Sequence, residues 1–113
     1  MKRYKQEIDI QIQAAKRKLL SIEEESKILN AIRKGDINAI EVLVDSHEYV
    51  ILKILKEMNV DGTRFSQIVS FIKDALKRLA RKEIGSREPE EFSKYSYWWI
   101  IGAANEFLTK NGK

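Results

Sequence analysis

The residues of this sequence whose types and spacing could do chemistry are aromatic. Five of them fall within eight positions: Phe92, Tyr95, Tyr97, Trp98 and Trp99. Flat rings hold single-stranded nucleic acid by stacking on its bases, at about 1–3 kcal/mol per base. A base drawn out of a duplex is held in a similar aromatic pocket. A nucleic-acid site is therefore the first hypothesis, and burial of the rings in a core is the competing interpretation.

The segment that carries these rings, residues 91–108, is predicted to be a helix with two apolar faces. At about 100° per residue, one face holds Phe92, Tyr95, Trp99, Ala103 and Phe107. The other holds Tyr97, Ile100, Ile101, Ala104 and Leu108. Such a helix is either buried in a bundle or half buried and half kept for a partner. Burial is favoured for Phe92 and Trp99, whereas Trp98 projects between the faces beside polar neighbours, which favours exposure.

The rest of the sequence offers no set of residues for catalysis. It has no Cys and a single His, His47, and therefore neither a disulfide framework nor a thiolate zinc site. It also lacks a Gly-rich phosphate loop and a nucleophile placed beside a base. We expect a protein that is not an enzyme and uses no cofactor or metal. His47 is expected to be an exposed residue in the first turn of a helix.

Length and charge are those of a small domain. A length of 113 residues with 43% hydrophobic and 34% charged residues fits one domain with a modest core. No apolar run reaches the roughly 18 residues of a membrane span, and there is no signal-peptide pattern, so we expect a cytoplasmic protein. The net charge of +4 is uneven, because residues 62–113 carry ten basic and six acidic groups while residues 21–61 carry five and nine. This bias permits a nucleic-acid partner without requiring one.

Helix signals predict an all-α fold, a compact bundle of five or six helices. The composition of residues 4–18 favours a first helix. Ser21 and Glu24 form a capping box that begins a second helix, and Gly35 ends it. Asp36 is then placed to cap a short third helix.

A second capping box at residues 45–48 predicts a break, followed by a helix to about Asn59. After a turn at residues 60–63, Thr63 or Ser66 is expected to cap a long helix that ends near Ile84. Its apolar stripe is Phe65, Ile68, Val69, Ile72, Ala75, Leu76 and Leu79. Its other side is basic, with Lys73, Lys77, Arg78, Arg81 and Lys82. Pro89 suits the opening of the final helix.

The aromatic segment resembles region 2 of bacterial σ70-type transcription initiation factors. The family pattern F-S-x-Y-x-x-W-W-I is matched position for position by residues 92–100, and adjacent tryptophans are rare. Upstream, residues 19–25 read L-L-S-I-E-E-E and residues 35–44 read G-D-I-N-A-I-E-V-L-V, similar to region 1.2 of the same family. The resemblance covers residues 19–108. It implies one domain over residues 1–113 with the region 1.2–2 fold, residues 1–18 as an N-terminal helical extension, and no regions 3 or 4.

The resemblance also implies partners and site residues. It implies a transcription initiation module that binds the RNA polymerase core, through the clamp helices of the β′ subunit, the single-stranded −10 region of promoter DNA, or both. The DNA-binding candidates are Phe92, Lys94, Tyr95, Trp98 and Trp99. The polymerase-binding candidates are Gln67, Ser70, Phe71, Asp74, Lys77 and Arg78.

The sequence departs from the family at several of these positions. Phe71 stands where the family has a glutamate, Ile101 where it has an arginine, and Gly102 where it has a glutamine. Asn105 and Glu106 replace a threonine and an arginine of the family. The alternative hypothesis is a σ-fold protein-interaction domain with no DNA role. A third is a general nucleic-acid binder that uses the basic helix at residues 73–87.

Overall fold

The computed structural model describes residues 2–86 and 91–111, with side chains for residues 7–86 and 92–110. The described residues form helices joined by turns, without a strand, which confirms the predicted all-α fold. Its α-helices are α1 (Lys2–Lys16), α2 (Ile22–Arg33), α3 (Asn38–Asp45), α4 (Glu48–Glu57), α5 (Phe65–Arg81) and α6 (Glu91–Asn111). A 3₁₀ turn, Gly62–Arg64, precedes α5. The predicted role of Pro89 lies outside the described residues.

The predicted start and end of α2 are both confirmed. The Glu24 N–H donates to Ser21 Oγ at 3.1 Å, and the Ser21 N–H donates to Glu24 Oε1 at 2.9 Å, completing the capping box. The hydrogen bonds with Ser21 lower the pKa of Glu24 below its ordinary value. After the helix, Gly35 has a φ of +99°, a left-handed conformation that a residue with a side chain rarely adopts.

The junction between α3 and α4 falls where it was predicted but is built differently. Asp36 Oδ1 accepts a hydrogen bond from the Ala39 N–H at 3.3 Å, as expected of a cap for α3. The prediction of a capping box at residues 45–48 is wrong, because Asp45 belongs to the last turn of α3. Glu48 is drawn away from the backbone by Lys73, whose Nζ lies 2.6 Å from its Oε1.

The predicted N-cap of α5 is also wrong. Neither Thr63 nor Ser66 caps the helix; instead, Asp61 Oδ1 accepts a hydrogen bond from the Thr63 N–H at 3.0 Å and organises the 3₁₀ turn. This bond lowers the pKa of Asp61 below its ordinary value. Just before it, Asn59 takes a left-handed φ of +58° after the end of α4, a position that asparagine tolerates.

The core lies around α5, which packs against α3, α4 and α6. All members of its predicted apolar stripe are buried except Val69, which is half-buried. The other two helices pack against neighbours of α5, α1 against α4 and α2 against α3. Fully burying an aliphatic side chain contributes about 1.5–3 kcal/mol, so α5 is the scaffold that fixes its neighbours. Within the described ranges, no helix combines the length and the apolar character that crossing a bilayer requires.

Candidate nucleic-acid interface

The last helix, α6, buries one face and exposes the other. Its buried residues recur at helical spacing, Phe92, Ser96, Ile100, Ala103 and Ala104. This stripe takes members from both predicted apolar faces, so the prediction of two opposite apolar faces is corrected. Because the stripe runs through Ser96, Tyr95 and Tyr97 fall on either side of it and remain exposed.

Phe92 belongs to the core. Its side chain is fully buried, and its ring meets the His47 imidazole edge-on, with centroids 4.9 Å apart. The ring has no exposed face for a base, which corrects the assignment of Phe92 to the DNA-binding set. His47 is half-buried against this ring, with Nδ1 2.9 Å from the Leu43 carbonyl oxygen, and not an exposed first-turn residue as expected.

Three aromatic rings of α6 face solvent. Tyr95 is 41% exposed, Tyr97 50% and Trp98 66%, large fractions for side chains of this size. The rings of Tyr97 and Trp98 pack edge to face with centroids 5.5 Å apart. Trp99 is half-buried beside them. We call these four residues the aromatic surface.

Cations accompany the aromatic surface. Lys82 Nζ, from the turn after α5, lies 5.0 Å from the ring centroid of Trp99. Lys94 Nζ lies 5.4 Å from the ring centroid of Tyr95. Both distances are within the range of cation–π attraction. Positive charge next to exposed rings is the combination that binds single-stranded nucleic acid, since cations attract phosphates while rings stack on bases.

A groove of about 290 Å³ runs between α5 and α6 beside the aromatic surface. Its lining comes from both helices: Ala75, Arg78, Trp98, Trp99, Gly102, Ala103 and Glu106. The groove therefore brings Arg78, predicted to bind polymerase, to the tryptophans predicted to bind DNA. It also holds Gly102 and Glu106, two positions at which the sequence departs from the σ70 pattern.

The six polymerase-binding candidates on α5 divide into two groups. Gln67, Ser70, Asp74 and Arg78 are exposed, at spacings of three or four residues that place them along one stripe. The other two are engaged within the fold. Phe71 is half-buried, with its ring centroid 5.5 Å from that of Phe107. Lys77 Nζ lies 3.1 Å from Glu41 Oε1 on α3.

Sequence reasoning missed Glu83, which positions α6. Its side chain is fully buried, and its Oε1 accepts a hydrogen bond from the Phe92 N–H at 2.7 Å in the first turn of α6. Its Oε2 lies 3.3 Å from Nε of Arg33 at the end of α2. Nothing in the sequence distinguishes Glu83 from the charged residues around it.

The chain matches no protein-family model, no curated protein and no solved structure.

Proposed function

We propose that this chain is a σ70-like transcription initiation module that binds the −10 promoter element as a single strand, the RNA polymerase core, or both. The observation that carries the proposal is the aromatic surface, in which Tyr95, Tyr97 and Trp98 are exposed. Lys94 lies over the ring of Tyr95, and Lys82 lies over the ring of Trp99. The resemblance of residues 92–100 to σ70 region 2 supplies the choice of −10 DNA among single strands.

The aromatic surface accounts for how a single strand is held. Each base that stacks on an exposed ring contributes about 1–3 kcal/mol. Lys82, Lys94 and Arg78 neutralise phosphates and release counterions, which makes the affinity fall as salt rises. A duplex offers no unstacked base to the rings, so the surface favours melted over paired DNA.

The exposed stripe of α5 supports the polymerase arm of the proposal. Gln67, Ser70 and Asp74 lie outside the groove, on the helix that forms its other wall. Arg78 belongs to both the stripe and the groove, so only a partner confined to the other three residues leaves the aromatic surface open. Binding of such a partner is compatible with DNA binding on one molecule.

The DNA arm is tested by fluorescence anisotropy with a labelled single strand of −10 sequence. Trp98→Ala is expected to weaken binding by about tenfold, the loss of one stacked base. Trp98→Phe keeps a ring and should recover most of the affinity. Ile22→Ala, at an apolar residue on α2 that is 86% exposed, is the matched control and should bind like wild type.

The DNA arm depends on two results, the salt sensitivity of binding and its dependence on a ring at position 98. Salt-sensitive binding that depends on a ring at position 98 supports the proposal. Wild-type protein that shows no salt-sensitive binding overturns the DNA arm. If the same protein still captures core polymerase, the remaining function is that of a protein-interaction domain with no DNA role.

A further inference from the structure

The groove between α5 and α6 is open to solvent and borders the aromatic surface. It is lined by Trp98 and the half-buried Trp99, and its remaining apolar lining is small, with Ala75 and Ala103 buried. A methyl group built at Gly102 would meet no atom within 4 Å, so the groove is open at this position. A larger residue at position 102 would occupy that space.

Each helix contributes one charged group to this groove, Arg78 from α5 and Glu106 from α6. Glu106 Oε1 lies 3.0 Å from Lys110 Nζ in an exposed pair one turn apart. Such a pair is weak, and a carboxylate offers about four acceptor positions. Glu106 can therefore accept a hydrogen bond from a ligand while it contacts Lys110. A guanidinium can only donate, so the groove offers one donor group and one acceptor group beside two indoles.

We infer that this groove seats one nucleobase of the bound single strand and that Glu106 makes it prefer cytosine to thymine. The inference rests on the proposed function and deepens it. The two pyrimidines have the same size but differ at position 4 of the ring, where cytosine carries an amino donor and thymine a carbonyl acceptor. A carboxylate accepts from the amino group and repels the carbonyl oxygen. The selecting residue stands at a position where the sequence departs from the σ70 pattern.

The preference is tested with two labelled oligonucleotides about twelve nucleotides long, one of deoxycytidine and one of thymidine, by anisotropy near pH 7.5. Wild-type protein is expected to bind the deoxycytidine strand about fivefold more tightly, the effect of one net hydrogen bond. Glu106→Gln should bring the two affinities together, because an amide both donates and accepts. Equal wild-type affinities for the two strands overturn the selection by Glu106. Binding of neither strand counts against the DNA arm of the proposed function itself.

The seat is tested separately at Gly102. Gly102→Leu fills the groove and is expected to weaken binding of the deoxycytidine strand by about tenfold, the loss of one stacked base. Gln13→Leu, which adds the same side chain to the exposed face of α1, should leave affinity unchanged.

A milder variant, Gly102→Ala, separates the seat from folding. Alanine favours an exposed helix over glycine, so its melting temperature should rise by about 4 °C. Its added methyl group narrows the groove, so its affinity for the deoxycytidine strand should fall. Opposite signs of the two effects support the seat. Affinity that is unchanged in both position-102 variants would show that no base occupies the groove.

Discussion

At the scale of single residues, the carboxylate of Glu83 holds three parts of the chain together. It accepts from the Phe92 N–H at the start of α6 and pairs with Arg33 at the end of α2. A second guanidinium nitrogen, Arg33 Nη2, is buried without a hydrogen-bond partner among the described residues. The Arg33 charge therefore depends on Glu83 for compensation.

Removing this carboxylate should destabilise the fold strongly. Glu83→Ala leaves Arg33 uncompensated and the Phe92 N–H without its acceptor, and truncating one partner of a buried pair costs about 3–5 kcal/mol. Glu83→Gln keeps an acceptor for the N–H and should cost less than the alanine. Urea unfolding followed by circular dichroism measures both. Glu57→Ala, at an exposed carboxylate on α4, should change the free energy of unfolding by no more than about 0.5 kcal/mol. Similar losses for Glu83→Ala and Glu57→Ala would refute this role.

The contrast between Glu83 and the tryptophans shows what a sequence can predict about single residues. Adjacent tryptophans are rare enough to mark a segment, and the neighbours of Trp98 correctly indicated its exposure. The burial of Glu83 depends on Arg33, fifty positions earlier, and no local pattern reports a contact at that separation. Phe92 was ambiguous for the same reason, because its partners His47 and Glu83 come from other segments.

At the scale of helices, short-range signals succeeded for the ends of α2 and the apolar stripe of α5, and failed at the start of α4 and on α6. The capping box of α2 and the glycine after it are short-range features, and both were predicted correctly. The box at residues 45–48 failed because Lys73, from a distant helix, competes for Glu48. On α6, hydrophobicity alone gave Ser96 no weight, yet the buried stripe passes through it.

The capping box of α2 supports a prediction on its own. Ser21→Ala removes the acceptor of the Glu24 N–H and is expected to destabilise the protein by about 1 kcal/mol. Ser21→Asp keeps an acceptor at the cap and should retain most of the stability. Thermal unfolding compares the two variants with wild type. A Ser21→Ala protein as stable as the aspartate variant would show that the box contributes nothing.

The exposed stripe of α5 makes a separate prediction for polymerase. Asp74→Lys reverses a charge on this stripe without touching the groove, so capture of core polymerase should weaken by at least about fivefold while affinity for single strands is kept. Reversal of Arg78 is less informative, since Arg78 lines the groove as well. Reversal of Lys77 also breaks the pair with Glu41.

A pull-down with immobilised protein and core polymerase measures this effect. Glu57→Lys places the same charge change on α4 and serves as the matched control. Equal capture by wild type, Asp74→Lys and Glu57→Lys would count against this stripe as the docking face.

At the scale of the whole molecule, ion pairs join helices that are distant in sequence. Lys73 on α5 contacts Asp45 at 3.2 Å and Glu48 at 2.6 Å, on either side of the break between α3 and α4. Lys18, which follows the end of α1, places its Nζ 3.4 Å from Oε2 of the same Glu48. This cluster links the N-terminal helix and the α3–α4 junction to the central helix.

The titration of this cluster predicts how stability depends on pH. Burial, the largest single influence, raises the pKa of Glu48, but the hydrogen bond and charge of Lys73, with help from Lys18, outweigh it and leave the pKa below its ordinary value of 4.5. Burial likewise lowers the pKa of Lys73, but Glu48 and Asp45 outweigh it and leave the pKa above its ordinary value of 10.5. Each group is therefore held more firmly in its charged form when the protein is folded.

The signs of these shifts define the two pH ranges in which stability is lost. A carboxylate whose pKa is lowered by folding contributes stability that is complete above its unfolded pKa and disappears as pH falls through the folded value. The midpoint of urea unfolding should therefore stay nearly constant between about pH 6 and pH 8 and fall below about pH 4.5. Lys73 has the opposite sign, so its contribution is complete below about pH 10.5 and is lost as pH rises further. Lys73→Met removes the main cause of the Glu48 shift and should flatten the acid limb relative to wild type. An acid limb of the same slope in both proteins would exclude this cluster as its source.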